Sequence, residues 1–290
     1  MRVCLSCATR FESAGWQCPA CAWEPRTSGG WPLFAPDLAS QNDDYSAEFF
    51  ALLFAAEPGH FWFRARNRLL IWAIRKYFPD AASLLEIGCG TGYVLAGIHA
   101  ALPEITCAGS EAFLEGLAFA ALRVPDVILS QMSALRIPFE NEFDVVGAFD
   151  VLEHIEEDER ALGQMFQATA PGGGVIITVP QHQFLWSAVD EYSRHKRRYS
   201  RRDLLAKLRR AGFRDVRATS FVSLLLPAML ASRMIRNRQR EFDELTEVRI
   251  GRTVNAAMER IMDVERGLIR SGARLPLGGS LLAIARKPKS

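Results

Sequence analysis

The sequence predicts an α/β fold in which a doubly wound, mostly parallel sheet of seven strands has helices on both faces. Short apolar runs alternate with segments of helical periodicity from residue 83 to residue 220, which is the order that builds a parallel sheet. Glycine stands where a helix must turn into a strand, at 172–174 and at Gly212. A chain of 290 residues, 49% of them hydrophobic, is long enough to bury the core of one such domain and a small appendage.

Residues 1–35 are expected to form that appendage, a zinc ribbon followed by a linker. Two Cys-x-x-Cys pairs are separated by ten residues, a spacing typical of tetrahedral zinc sites. Four thiolates leave no open position on the metal, so the zinc is expected to be structural and to supply folding energy to a segment with little core of its own. The predicted ligands are Cys4, Cys7, Cys18 and Cys21.

The elements of the main domain follow from periodicity. Residues 25–36 contain glycine, proline and serine without a hydrophobic period and are interpreted as the linker. Helical periodicity over 45–78, interrupted near Pro58, predicts two helices before the sheet. The main domain, residues 36–290, is predicted to contain strands at 83–87, 105–109, 127–130, 143–149, 174–179, 213–220 and 279–286, helices at 93–102, 113–122, 156–169 and 201–211, and a helical insertion at about 221–275.

The segment from Leu84 to Gly92 predicts a ligand site at the carboxyl end of the first strand. It reads Leu-Leu-Glu-Ile-Gly-Cys-Gly-Thr-Gly, an apolar strand that runs into a loop with glycine at every second position. Glycine lets the backbone approach a ligand closely, at the edge where open α/β sheets bind ligands. A dinucleotide-binding loop would need its last glycine at the position of Tyr93. A tight turn without a ligand is the alternative interpretation.

The second predicted strand leads to another candidate, Glu111. An acidic side chain at the end of that strand is placed to accept hydrogen bonds from both hydroxyls of a ribose. An ordinary carboxylate near a helix N-terminus is the alternative interpretation.

The pattern Glu86-x-Gly88-x-Gly90-x-Gly92 is similar to motif I of the class I S-adenosylmethionine-dependent methyltransferases, which have a Rossmann-like fold. The resemblance extends in order through 131–139 and 149–154, and the helical insertion with the last strand resembles bacterial members of the type 11/12 group. It implies S-adenosylmethionine as the cofactor. The cofactor-binding residues that it implies, together with Glu111, are Glu86, Gly88, Cys89, Gly90, Gly92, Met132, Ser133, Ala134 and Phe149.

One of these positions departs from the family pattern. Ser133 stands where the family usually has the aspartate that contacts adenine. This departure leaves Met132 and the backbone amide of Ala134 to hold the ring.

Methyl transfer to a hydroxyl or an ammonium group needs a base, because the acceptor must lose a proton. Candidates follow the fourth and fifth strands, where substrate loops lie in this fold: His154, Gln181-His182, Asp190 and His195. His154 is interpreted either as the base or as a histidine that only caps the fourth strand. The spacing of Asp150, Glu153 and His154 also resembles the divalent-metal site of ubiquinone-biosynthesis O-methyltransferases, a third interpretation.

The acceptor is expected to be a small molecule or a lipid-like compound with negative charge. Six lysines and arginines fall within the nine positions 194–202, which suits a phosphate or carboxylate clamp or else a solvated loop. The apolar run 221–231 precedes several arginines, which suits an anionic lipid or peripheral contact with a membrane, and equally core or dimer packing. That run has 11 residues, whereas a bilayer span needs roughly 20, so no transmembrane helix is expected.

Net charge and the N-terminus restrict the remaining classes. The net charge is only +2, from 35 basic and 33 acidic residues, so no global field favours nucleic acid. The N-terminus lacks the apolar segment of a secretion signal, so a cytoplasmic location is expected. Two other classes stay open. One is a ribosomal RNA base methyltransferase, because a zinc module joined to this domain resembles certain guanine methyltransferases; the other is a non-catalytic protein that uses the ribbon to recruit a partner.

Overall fold

The computed structural model of the chain describes residues 1–39, 47–236 and 250–289, with side chains for 1–39, 47–231 and 250–289. The strands are β1 (Arg2–Val3), β2 (Arg10–Phe11), β3 (Arg26–Ser28), β4 (Trp31–Leu33), β5 (Ser83–Ile87), β6 (Thr106–Glu111), β7 (Ile128–Gln131), β8 (Phe143–Phe149), β9 (Thr169–Pro180), β10 (Arg214–Phe221) and β11 (Ser280–Arg286). The helices are α1 (Pro36–Ala39), α2 (Ala47–Ala56), α3 (Phe61–Tyr77), α4 (Tyr93–Ala101), α5 (Leu114–Arg123), α6 (Asp158–Ala168), α7 (Ala188–Tyr192), α8 (Arg201–Arg210), α9 (Leu226–Arg236) and α10 (Arg252–Arg270).

The central sheet is mostly parallel, as predicted. Its strands lie in the order β10-β11-β9-β8-β5-β6-β7-β4-β3. β5 pairs in parallel with both β6 and β8, whereas β11 is antiparallel to β9 and β10. The strand order therefore reverses between β5 and β8, and the carboxyl ends of these strands border a crevice of the kind where open α/β sheets bind ligands. Two apolar clusters, one on each face of the sheet, form the core.

The prediction of seven strands is wrong, because the sheet has nine strands within the part of the chain that the structure describes. The two additional strands, β3 and β4, come from residues that the sequence analysis interpreted as a linker. They form a hairpin whose turn contains Gly29 and Gly30, at φ +57° and +87°. Leu33 then pairs in parallel with Gln131 of β7, and the next residue, Phe34, is buried. The pairing with β7 turns a polar, glycine-rich segment into the edge of the sheet.

The N-terminal unit docks on the body of the molecule. β1 and β2 form their own two-stranded sheet, and the N–H of Val3 donates to the carbonyl of Pro138 at 3.0 Å. Trp16 packs edge-on against Phe34 and Phe139, with ring centroids 4.4 and 5.5 Å away. The unit is thus held by backbone and aromatic contacts and not by a flexible connection alone.

Helices α9 and α10 occupy the predicted insertion between β10 and β11. α10 packs on α3, and Glu265 of α10 accepts hydrogen bonds at 2.6 to 2.7 Å from the N–H groups of the three residues that follow β10. Among the described helices, none combines the length and the apolar character needed to cross a membrane. The arginine side chains expected after the run 221–231 lie outside the described residues, namely those of Arg233, Arg236, Arg238 and Arg240.

Candidate active site

The loop between β5 and α4 needs glycine at three positions for two different reasons. A Cβ atom at Gly88 would lie 2.6 Å from a methyl group of Val151, and one at Gly92 would lie 3.0 Å from the Cα of Ala120. At Gly90, by contrast, no atom lies within 4 Å of the place that a Cβ would take. All three glycines have positive φ, which L side chains rarely adopt. Gly88 and Gly92 therefore allow close packing, whereas Gly90 borders open space.

Glu111, at the end of β6, is bound to this loop. Its Oε2 accepts a hydrogen bond from the N–H of Gly90 at 2.8 Å, and its Oε1 accepts from the N–H groups of Ala112 at 2.8 Å and Phe113 at 3.3 Å. Burial raises the pKa of Glu111, and these three donors partly oppose the rise. A carboxylate has about four acceptor positions, so one stays available on Oε2.

Glu86, the acidic residue of β5, is buried, and one of its carboxylate oxygens receives no hydrogen bond from the described residues. The residue is 2% exposed, and Oε2 has no hydrogen-bond partner among the described residues. Burial raises the pKa of Glu86 well above its usual range, and the nearby guanidinium of Arg66 opposes the rise. A buried acceptor without a donor is costly, so this oxygen suits a cationic or hydrogen-bonding ligand.

Arg66 of α3 lies at the end of β8. It forms an ion pair with Asp150, and its guanidinium lies over the ring of Trp62 at 4.3 Å. Asp150 has a φ of +59° and accepts a hydrogen bond from the hydroxyl of Thr178 at 3.2 Å. Sequence reasoning missed Arg66, because it belongs to no motif and lies 20 residues before Glu86 in a helix that precedes the central β5.

The predicted adenine end follows β7. Met132 is 3% exposed, and its N–H donates to the carbonyl of Glu111 at 2.9 Å, so this segment borders the end of β6. The hydroxyl of Ser133 accepts the N–H of Leu135 at 3.2 Å and closes a local turn. Ser133 thus has a structural partner at the position where the family usually has an aspartate.

Two predicted cofactor residues have side chains in the core. Cys89 is 6% exposed and Phe149 is 5% exposed. Burial raises the pKa of the Cys89 thiol well above its usual range. Neither side chain is available for chemistry, although the backbone of Cys89 remains part of the loop.

On the other side of the crevice, Asp190 and His195 form a hydrogen-bonded pair. Nδ1 of His195 lies 2.9 Å from Oδ1 of Asp190, which is fully buried. Arg198 donates to both oxygens of the same carboxylate, at 2.7 and 2.9 Å. Burial raises the pKa of Asp190, but the hydrogen bonds from His195 and Arg198 outweigh it and hold the pKa well below its usual range. Asp190 is therefore an ionised group that orients the ring of His195.

His154 packs against this pair, with its ring centroid 4.7 Å from that of His195. Burial and the neighbouring His195 lower the pKa of His154 to about 3, so the ring is neutral. Glu153 is fully buried, and neither carboxylate oxygen has a hydrogen-bond partner among the described residues. One potential metal-ligand atom each from Glu153, His154 and His195 lies within 4.8 Å of the other two. Asp150, which the resemblance to a divalent-metal site included, is paired with Arg66 instead.

Two of the six cations in the stretch 194–202 are used for internal contacts. Arg198 binds Asp190, and Arg197 lies 3.2 Å from Asp158. The hydroxyl of Tyr199 donates to Asp158 at 2.6 Å. These partners favour the structural interpretation of Arg197 and Arg198 over an anion clamp.

A family model places this arrangement among known proteins. The model, described as a methyltransferase domain, matches residues 54–218, more than half of the chain, and the match includes the glycine loop, Glu111 and the Asp190–His195 pair. The chain belongs to the methyltransferase domain family. The match confirms the predicted methyltransferase domain.

Two methyltransferases are similar in sequence to parts of the chain. An uncharacterized methyltransferase of Schizosaccharomyces pombe is 31% identical over 112 residues, which are 34% of this chain and 40% of that protein. The malonyl-[acyl-carrier protein] O-methyltransferase of Methylococcus capsulatus is 25% identical over 193 residues, 59% of this chain and 70% of that protein. The chain thus matches less than half the length of the first of these relatives.

A solved structure supports the same fold. Phosphoethanolamine N-methyltransferase 2 of Haemonchus contortus, in complex with phosphomonomethylethanolamine and S-adenosylhomocysteine, superposes with a TM-score of 0.58 at 19% identity. The superposition covers 87% of this chain and 60% of the other. At this identity the likeness shows the fold alone.

Within the methyltransferase domain, one arginine binds the glycine loop directly. Arg123 of α5 forms an ion pair with Glu57 and donates to the hydroxyl of Thr91 at 2.7 Å and the carbonyl of Phe54 at 2.6 Å. Thr91 is part of the loop, so this network ties the loop to α5 and to the end of α2. No sequence motif indicates it, because the partners lie 32 to 69 residues from Arg123.

The four N-terminal cysteines lie together outside the methyltransferase domain. The Sγ atoms of Cys4 and Cys21 are 3.7 Å apart, those of Cys7 and Cys18 are 3.6 Å apart, and all four lie within 4.8 Å of one another. A tetrahedral zinc ion with Zn–S bonds of about 2.3 Å requires sulfurs about 3.8 Å apart. The cluster therefore has the size of a zinc tetrahedron.

Proposed function

We propose that the protein transfers a methyl group from S-adenosylmethionine to an oxygen or nitrogen atom of a small-molecule or lipid-like acceptor. The observation that carries the proposal is the adjacency of the glycine loop and the histidine pair. Gly88 of the loop packs against the side chain of Val151, and the N–H of His154 donates to the carbonyl of Val151 at 3.1 Å. His154 in turn packs against His195. A ligand bound at the loop therefore has a titratable group close to its reactive end.

Features of the described residues fit the cofactor. The partnerless Oε2 of Glu86 suits its ammonium group, and the open acceptor position on Glu111 suits a ribose hydroxyl. The space beside Gly90 admits a ligand against the backbone of the loop. When bound, the cofactor supplies an electrophilic methyl group, so the protein has mainly to align the acceptor and exclude water.

A Glu111→Gln variant tests the ribose contact. The amide replaces one acceptor by a donor, which opposes the N–H groups and any ribose hydroxyl at that position. Because a hydrogen bond to a charged group contributes about 1.5 to 3 kcal/mol, the Kd for S-adenosylmethionine should rise about 10- to 100-fold in a calorimetric titration. Glu104→Gln, at an exposed position, is the matched control and should leave the Kd unchanged. Equal affinities of the two variants would contradict the assignment of Glu111.

On the acceptor side, His195 is the residue that we assign to proton removal. Its ring is oriented through Nδ1 by the ionised Asp190, which leaves Nε2 to take a proton from a hydroxyl or an ammonium group. His154 is a weaker candidate, because its lowered pKa makes it a poor base. Asp190 is a positioning residue in this scheme, and Arg198 holds it in place.

The nature of the acceptor is supported by relatives of similar sequence or fold. Their names contain malonyl-[acyl-carrier protein], norajmaline and phosphoethanolamine, which are small molecules or a small group on a carrier. Release of S-adenosylhomocysteine should therefore be measured with phosphoethanolamine, a malonyl thioester and simple phenols as probes. Failure of the protein to bind S-adenosylmethionine in a calorimetric titration would contradict the proposed function.

The four N-terminal cysteines are proposed to hold one structural zinc ion. Support comes from the Sγ distances and from the absence of a disulfide, since all four are free thiols. Two of the sulfur positions are buried under Phe11 and Trp23, so metal and aromatic side chains together make the small core of this unit.

Zinc content tests this proposal directly. Purified wild-type protein should contain about one zinc per chain, and Cys4→Ser should contain less than about a fifth of that, because three thiolates leave the tetrahedron incomplete. The midpoint of thermal unfolding should also fall. Cys107→Ser changes a buried cysteine outside the cluster and should keep its zinc. Zinc-free wild-type protein that unfolds at the same temperature would refute the structural role.

A further inference from the structure

Helix α10 has an apolar stripe on its exposed side. Val254, Ile261, Val264 and Leu268 recur at intervals of seven, three and four residues, which aligns them along one face of a helix. Their exposed fractions are 49%, 38%, 60% and 42%. We call these four residues the outer stripe. The face of α10 that adjoins the outer stripe is buried against the core through Met262 and Ile269 and the capping carboxylate of Glu265.

The acidic side chains of α10 have partners within the protein, whereas several of its basic side chains have none among the described residues. All three acidic side chains are used within the protein: Glu259 pairs with arginines of α3, Asp263 pairs with Arg68 and Arg266, and Glu265 binds backbone N–H groups. The exposed charges of the helix without an ion-pair partner in the described part of the chain are cationic, namely Arg252, Arg260 and Arg270. The side of α10 that carries the outer stripe is thus apolar with one adjacent cation, Arg260, while Arg252 and Arg270 lie at the two ends of the helix.

A cavity lined by arginines lies at the same edge of the molecule. Its volume is about 540 Å³, and it is formed at the start of the edge strand β10, beside which α10 packs. Arg274, four residues after the end of α10, is part of its wall. The side chains that line the cavity are Arg209, Arg214, Asp215, Val216, Arg217 and Arg274. Four guanidinium groups against one carboxylate suit an anion with several oxygens.

From these three observations we infer that the α10–β10 edge binds a membrane surface that contains anionic phospholipids. The outer stripe enters the boundary between head groups and acyl chains, and the arginines meet the lipid phosphates. A second copy of this chain suits the surface less well, because it would bring cationic faces together. This inference does not depend on methyl transfer, since it uses no residue of the candidate active site.

Vesicle flotation at low salt tests the inference with the full chain. Wild-type protein should float with vesicles of phosphatidylcholine and phosphatidylglycerol at least tenfold more than with phosphatidylcholine alone. Added salt should weaken this binding, because it screens the arginines. Arg217→Gln combined with Arg274→Gln should weaken it about 30-fold, as expected from about 1 kcal/mol for each arginine near an anionic surface.

A matched pair of variants tests the apolar contribution to vesicle binding. Val264→Glu places a charge in the outer stripe and should reduce vesicle binding at least about tenfold, the factor expected for one buried valine side chain. Leu122→Glu makes the same kind of change on α5, where the leucine is 72% exposed, and should bind like the wild type. Thermal unfolding checks that both variants are folded.

Three results would overturn the inference. The first is equal flotation of wild-type protein with neutral and anionic vesicles, and the second is equal flotation of Val264→Glu and Leu122→Glu. The third is a wild-type dimer that Val264→Glu converts to a monomer in light scattering, without vesicle binding, which would make the outer stripe a self-association surface. None of these results affects the cofactor titrations, so failure of this inference is distinct from failure of the proposed function.

Discussion

A Gly90→Ala variant is expected to bind S-adenosylmethionine at least about 100-fold more weakly than the wild type while it remains folded, a loss of about 3 kcal/mol. The new methyl group would meet no protein atom within 4 Å, so it would stand in the open space beside the glycine loop. Filling that space separates a ligand from the loop backbone and from the carboxylate of Glu111, which is bound to the N–H of Gly90. Calorimetric titration measures the change.

Gly30→Ala is the matched control for this prediction. Gly30 also has positive φ, +87° against +53° at Gly90, and also has no atom within 4 Å of its Cβ position. Both replacements therefore carry the cost of a left-handed alanine, about 1 kcal/mol, and should lower the unfolding temperature to a similar extent. Wild-type affinity in Gly90→Ala would place the cofactor elsewhere. Equal loss of affinity in both variants would point to general destabilisation.

The glycine loop could be predicted from sequence because its constraints are local. The predicted strands at 83–87 and 143–149 coincide with β5 and β8 to the residue. Buried parallel strands are continuous apolar runs, and the loop that follows β5 needs residues without a side chain at fixed positions. Glu111 could be found for the same reason, since it lies directly at the end of a predicted strand.

Partners that come from distant parts of the chain could not be predicted in this way. Arg66 acts on Glu86 and Asp150 from a helix that precedes the central strand, and a helical arginine has no distinctive pattern. The strands β3 and β4 have three residues each, and their local composition is that of a loop. Only the pairing of Leu33 with Gln131 makes them part of the sheet. Short edge strands of this kind depend on tertiary contacts that periodicity does not contain.

The acceptor side lies between these two cases. Their positions in the sequence made His154, Asp190 and His195 candidates for the base, because all three follow the carboxyl ends of strands. It did not distinguish their roles, since the roles depend on burial and on hydrogen-bond partners. The structure pairs His195 with an ionised carboxylate and leaves His154 neutral, with a pKa of about 3. This difference allows the two histidines to be separated by experiment.

His195→Ala is expected to lower kcat about 100-fold or more, because a positioned general base contributes a factor of about 10² to 10⁴. The Kd for S-adenosylmethionine should stay the same, since His195 lies on the acceptor side. Turnover is measured as S-adenosylhomocysteine release, with the acceptor probe that gives the highest rate. His99→Ala, in the last turn of α4, removes a histidine away from the acceptor side and should leave kcat unchanged.

Chemical rescue and the pH dependence of the rate separate catalysis from structure at this pair. With His195 as the base, added imidazole should restore part of the rate of His195→Ala. Asp190→Asn should lower kcat about tenfold or more, because the ionised carboxylate no longer orients the ring of His195. If His195→Ala kept the wild-type profile and His154→Gln lost the rate, His154 would be the base. An inflection carried by His154 would then lie near its pKa of about 3, far below the range in which a free histidine titrates.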